Sequence, residues 1–318
     1  MSRTSWFTFA LATAIALPLS TQAHGVAGAR IFVGTLTVDD PAVADELAFP
    51  TLTWQRQPTG NNAGPTNFFD IQFDYTKRIT EQFGLSVSLG HSWLATANDK
   101  TRNGWHNMTL GAKYRVYVNP AHEFMMSVGV NREFARTGTV ATGADVASTT
   151  TPTIYFGKGL GDLPIGVLRP FAVTGTFGYA ISELGRKQVV GIDPSTGLAT
   201  TGFNIGHENR YTGGLTLQYS IPYLQSQVKD FGLPEWIGAM TPVVELSWSS
   251  PANRPSGTPV QLMAATGVVY SAQSWQLAVE ALIPLNRATG RNVGVVAQFH
   301  MYLDDIFPNS LGKPLVSW

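Results

Sequence analysis

Residues 83–93 read Phe-Gly-Leu-Ser-Val-Ser-Leu-Gly-His-Ser-Trp, which places Phe83, Leu85, Val87, Leu89, His91 and Trp93 on one parity and Gly84, Ser86, Ser88, Gly90 and Ser92 on the other. A period of two separates these sets onto the two faces of a strand. The pattern recurs at 67–77, where Phe69, Ile71, Phe73 and Tyr75 alternate with Asp70, Gln72, Asp74 and Thr76, and again at 105–118, 209–221 and 292–303. A soluble sandwich also alternates. Many such segments, joined in turn by tight turns and long polar loops, fit a transmembrane β-barrel better.

Charge supports the same reading. Asp, Glu, Lys and Arg make up 13% of the 318 residues, against about 25% in an ordinary soluble domain. A barrel replaces much of a charged exterior with a lipid-facing belt. The 21 basic and 21 acidic residues balance, so no basic patch points to a nucleic-acid partner. With no cysteine, disulfides and thiolate metal sites are excluded. Residues 1–23 carry Arg3, an apolar core over 6–19 and small residues before Ala23. That core is too short to span a bilayer, so the expectation is a cleaved secretory signal peptide.

The expected architecture is an all-β chain, a transmembrane antiparallel β-barrel of about 12 strands. Residues 24–50 lack a clear strand period and are read as a periplasmic N-terminal extension, 51–303 as the outer-membrane barrel and 304–318 as a periplasmic tail. Strands are expected near 51–57, 67–77, 83–93, 105–118, 124–134, 152–157, 170–180, 209–221, 241–249, 261–270, 275–284 and 292–303. The long polar connections at 58–66, 97–104, 136–150, 181–206, 250–260 and 285–291 then all fall on one rim. An even strand number with alternating long and short connections is what a single-chain barrel requires. The connection 222–239, with Pro234 and Trp236, is unusually long for the periplasmic side and is expected to form a short helix or a rim cover. Aromatics such as Phe69, Trp93, Tyr114, Tyr219 and Trp275 near strand ends suit interfacial girdles.

If the apolar faces meet lipid, the opposite faces line a lumen. The lumen-lining candidates are Asp70, Asp74, Asn107, Lys113, Arg115, Asn131, Glu133, Arg210, Gln218, Glu245, Glu280, Gln298 and His300. Their mixed charge fits a path for small solutes, and equally fits a narrow interior in which opposite charges pair and close it.

No enzymatic chemistry is expected. His91–Ser92 and His106–Asn107 are adjacent pairs in strands, so each pair points to opposite faces and cannot hydrogen-bond. An outward His91 leaves a lipid hydrolase as a remote alternative. His24 would offer an imidazole and an α-amine to a transition metal after cleavage, and Asp39–Asp40 and Asp304–Asp305 are carboxylate pairs for a hard cation. Lone residues of this kind are more often solvated or turn-capping, so no cofactor or metal is assigned. Gly157, Gly159 and Gly161 read as turn chemistry, with no helix following as a phosphate loop needs.

Three segments carry a resemblance: Ala23-His-Gly-Val-Ala-Gly28, the stretch from Gly34-Thr-Leu-Thr-Val through Asp45-Glu-Leu47, and Phe299-His-Met-Tyr-Leu-Asp-Asp-Ile-Phe-Pro308. They resemble uncharacterised proteobacterial outer-membrane β-barrel proteins, and the barrel is loosely similar to the outer-membrane proteins of aromatic meta-cleavage (phenol degradation) pathways. The resemblance implies location and architecture, and a channel or facilitator for passive uptake of small solutes, hydrophobic or aromatic ones among them. It carries over no site residue. The implied partners are outer-membrane lipid, the solute, and the barrel assembly machinery during insertion. The alternative from another class is a closed structural or surface-interaction barrel presenting its long loops.

Overall fold

The computed structural model describes residues 25–57, 66–96, 100–183, 186–192, 199–205, 208–253 and 259–316, with only the backbone described over 186–192 and 199–205. The segment 1–23, expected as a signal peptide, and His24 lie outside the described residues, as do parts of the loops expected at 58–66, 97–104, 181–206 and 250–260.

Among the described residues, twelve antiparallel strands close into one barrel. They are β1 (Glu46–Gln57), β2 (Thr66–Arg78), β3 (Phe83–Thr96), β4 in two pieces (Arg102–Trp105 and Thr109–Asn119), β5 (Phe124–Glu133) and β6 (Thr149–Gly159). β7 (Phe171–Ser182), β8 (Arg210–Tyr219), β9 (Met240–Pro251), β10 (Gln261–Ser271), β11 (Trp275–Pro284) and β12 (Gly294–Tyr302) complete the wall. Each strand pairs with the next, and β12 returns to β1 from Val295 opposite Trp54 to Tyr302 opposite Glu46. Closure leaves no edge strand unpaired.

The outward face is apolar: Trp54, Phe69, Leu89, Leu110, Ile154, Leu215 and Val279 all remain about 40–50% exposed on a folded chain. Inward positions such as Asp70, Ser92, Thr174, Gln218 and Glu245 are buried and polar. That inversion of the soluble pattern is what a lipid-facing wall around a lumen produces. Aromatic pairs sit near strand ends on this face, Phe171 with Tyr219 at 4.7 Å between centroids and Trp275 with Phe299 at 5.7 Å.

Three local departures from strict alternation have physical causes. β1 begins at Glu46, not at 51, because Pro50, which cannot donate to a ladder, is absorbed in a bulge where the register shifts between Ala48 and Thr51. β4 is interrupted over 106–108 and its two pieces pair with β3 in registers one residue apart. A second bulge between Arg115 and Tyr117 leaves Val116 and Tyr117 both outward, and Val118 turns inward. The connection between β8 and β9 forms short helical turns, started by Ser220, whose Oγ accepts from the Tyr223 N–H at 3.2 Å.

The larger correction concerns the segment before β1. Residues 25–45 were expected as a periplasmic extension. They instead thread the inside of the barrel, beginning with a hairpin of Gly25–Ala27 against Arg30–Phe32. Phe32 packs with Met125 and Ala172, Val33 with Val243, Val269 and Ala278, and Leu36 against Ala265, Leu282 and Val296. The inner face of β9–β12 is therefore apolar in part, and the segment covers it. Without that cover these side chains would face lumenal water, at a cost of roughly 1.5–3 kcal/mol for each large one.

Candidate functional site: the lumenal cavity

Charged contacts fix the path of the inner segment. The Arg30 Nε donates to Glu123 at 3.1 Å and its guanidinium lies 3.8 Å from the Tyr223 ring centroid, while its other nitrogens reach the carbonyls of Arg169 and Pro170. The Tyr223 hydroxyl donates to the same Glu123 at 2.7 Å, and burial, helped by this bond to a carboxylate, pushes it up to about 12. Farther along, Thr37 donates its N–H to Glu245 at 2.6 Å, and its hydroxyl donates to the same oxygen. Ser127 of β5 donates to the Pro41 carbonyl at 2.5 Å. Asp45, fully buried, ends the run by accepting from Lys77, the Arg78 N–H and Arg78 Nε at 2.5, 2.8 and 2.7 Å.

Several inward glycines give the segment its room. A Cβ at Gly157 would sit 3.0 Å from the Phe32 ring, and one at Gly214 would sit 2.4 Å from Val38 Cγ2. Gly159 and Gly161, read from sequence as turn residues, abut the Arg30–Glu123–Tyr223 cluster.

With the β7–β11 side largely occupied, a cavity of about 750 Å³ remains between the segment and the wall formed by β12 and β1–β6. Of the expected lumen residues, Asp74, Asn107, Lys113, Asn131, Glu133, Gln298 and His300 line it. Asp70 lies behind the lining, buried, and ion-pairs with His106 at 2.8 Å. Arg115 is turned to the short β2–β3 turn, where it donates to the Glu81 carbonyl. Arg210 is engaged by Ser249 and Glu208 at its own end of β8. Gln218 donates to the Val33 carbonyl, and Glu245 and Glu280 are buried on the β9–β11 wall away from the cavity lining.

The cavity also holds Gln72, which shares the inward parity of Asp70 and Asp74, and residues that strand parity did not flag: Asp39, Asp40, Glu46, His106 and Tyr155. His106 and Asn107 both face it, because the break in β4 suspends the alternation that would send neighbours to opposite faces. Gly90 is the sequence trace of this, since any Cβ there would meet the His106 ring at 2.5 Å. Asn107 ties the lining to the β5–β6 loop: it donates to Glu133 at 2.8 Å and to the Asp145 carbonyl at 2.9 Å, and accepts from the Gly138 N–H. Thr142, Gly143 and Ala144 of that loop bend over the cavity.

Lys113 is the one lysine or arginine among the described lining residues. Its ammonium donates to both Asp39 oxygens at 2.9–3.0 Å and to the Asp40 carbonyl at 2.9 Å, and lies 4.4 Å from the Tyr155 ring centroid. His300 shares a hydrogen bond with Glu46 at 3.1 Å, and Gln298 donates to Thr51. Burial pushes the Asp40 carboxyl up to about 7; Lys113 opposes the rise, and Glu46 and Asp39 add to it.

His91 points outward, its ring 4.5 Å from that of Trp93 and 4.9 Å from that of Trp105, while Ser92 is buried on the inward face. The two are not a catalytic pair. Among the described residues, no group of three or more His, Asp or Glu is placed to hold a metal ion.

No protein family and no curated protein matches the sequence. Solved structures do. An outer membrane channel from Pseudomonas putida F1 superimposes with a TM-score of 0.55 at 12% identity, covering 86% of this chain and 99% of that one. The chain shares the barrel fold of that channel. Weaker likenesses are to the KdgM porin (TM-score 0.42, 12% identity, 79% of this chain and 98% of that one). The beta domain of the Bordetella autotransporter BrkA gives a TM-score of 0.46 at 13% identity, over 82% and 99% of the two chains. Identity this low speaks to fold alone.

Proposed function

We propose that the protein is a non-enzymatic outer-membrane channel for passive passage of small polar solutes, with a preference for cations. The observation that carries this reading is the cavity of about 750 Å³ inside a closed barrel, lined by Asp39, Asp40, Glu46, Asp74 and Glu133 against Lys113 alone among lysines and arginines. Rings of carboxylates in a narrow lumen favour cations. The apolar outward belt supports residence in the lipid of an outer membrane, reached after cleavage of residues 1–23 and insertion by the barrel assembly machinery. The amide and carboxylate lining favours polar solutes over the aromatic cargo that the meta-cleavage resemblance implies.

A second reading is a closed barrel with a structural or surface role. It is favoured by the inner segment, which fills much of the lumen, and by the β5–β6 loop bent over the cavity. Single-channel recording of the refolded full chain in a planar bilayer under a KCl gradient separates the two. Steady openings with a cation-selective reversal potential are expected. A correctly folded, heat-modifiable barrel that never conducts would overturn the channel and leave the second reading.

A further inference from the structure

We infer that the lumenal segment 34–43, through Asp39 and Asp40, is a selectivity element of the barrel, setting how strongly cations are preferred over anions. The inference rests on the channel reading above and extends it to particular residues.

The strands alone would present a different field. Lys113 projects from β4 into the cavity, where the Tyr155 ring lies against it and the strand-borne carboxylates are Glu46, Asp74 and Glu133. Its three short contacts to oxygen all come from the segment: two from the Asp39 carboxylate and one from the Asp40 carbonyl. Removing them would leave an unpaired ammonium in the passage. In their presence the Asp39 charge cancels that of Lys113, and the Asp40 carboxyl is added beside them. Asp39 remains in contact with water despite its ion pair, its side chain being 59% exposed, so its charge acts on the passage directly.

A selectivity element must hold its charges still. The segment does so on both sides of the aspartates. Thr37 is tied to Glu245, Val38 sits in the space left by Gly214, the Pro41 carbonyl is held by Ser127, and Val43 packs beside Gly84. Asp40 Oδ1 accepts from the Ala42 N–H at 2.6 Å, which fixes the carboxylate against its own backbone. At ordinary ionic strength charges act over about 8 Å in water, so a fixed pair beside the passage acts on an ion that passes it.

The test uses the full chain refolded in planar bilayers, with the K⁺:Cl⁻ permeability ratio read from the reversal potential. Asp39→Asn combined with Asp40→Asn changes little in shape and exposes the Lys113 charge. The ratio is expected to fall by about threefold or more, and Lys113→Gln is expected to raise it by a similar factor. If both variants open normally and keep the parental ratio, the inference is wrong while the channel reading stands. If neither the parent nor any variant conducts, the channel reading fails and takes the inference with it. Heat-modifiable migration of each variant confirms that a folded barrel was measured.

Discussion

Asp45 has no exposure and three hydrogen-bond donors, two of them from cationic side chains. Asp45→Ala would take the carboxylate from Lys77 and one of three from Arg78, which also pairs with Glu81 and Asp304, and breaking a buried pair from one side is far costlier than the net worth of the pair. We expect a loss of about 3 kcal/mol, read as a lower urea midpoint for the folded band. Asp304, close to the same guanidinium at 3.2 Å, behaves differently: burial pushes its carboxyl up to about 7, with Arg78 pulling the other way. Because the folded value lies above the unfolded one, the contribution to stability is complete at acid pH and is lost as pH rises from about 4 to about 7. Asp304→Asn is expected to flatten that part of the stability profile. Asp40 follows the same sign, with a functional readout. Below about pH 7 it is neutral and above it adds a negative charge beside Lys113, Asp39 and Glu46. The cation preference should therefore rise from about pH 6 to about pH 8 in the parent and stay level in Asp40→Asn.

At the scale of the elements, the twelve strands were readable because each carries its own signal: parity of apolar residues along the segment, bounded by turns. The inner segment was not, because nothing local distinguishes a chain that lies in a lumen from one that lies beyond the rim. Its docking site is written in inward glycines scattered over β3, β6 and β8, such as Gly84, Gly157 and Gly214, which singly look like turn or bulge signals. Gly214→Val tests that docking. The new side chain would collide with Val38, forcing the segment from β8 at a cost of about 1–3 kcal/mol. Because the segment can move away from β8 only into the cavity, a smaller single-channel conductance from a barrel that remains heat-modifiable is the expected result, and unchanged conductance would show that the segment does not border the path. Parity also failed at two strand irregularities. The gap at 106–108 brought His106 into the cavity, and the bulge after Arg115 turned Val118 inward onto the segment.

For the whole molecule, the outward belt is the feature on which membrane residence depends. Leu215 and Leu217 of β8 are 42% and 44% exposed on that face. Leu217→Arg should destabilise the barrel in vesicles by up to about 2–4 kcal/mol if the site lies near the bilayer midplane, measured by denaturant titration; no change would place β8 outside lipid. The sequence by itself determined the fold class, the strand number and the outward face, because a period of two is a property of each strand and survives without knowledge of its neighbours. It also placed Asp74, Lys113, Asn131, Glu133, Gln298 and His300 on the inward face. Only the tertiary structure decided which inward faces stay open to a passage. Gln218, Glu245 and Glu280 share that parity, yet they lie toward the side the inner segment occupies, whereas Asp39 and Asp40, on no strand at all, became part of the cavity wall. Closure of a barrel brings distant segments together across its interior, and contacts of that kind leave no periodic trace along the chain.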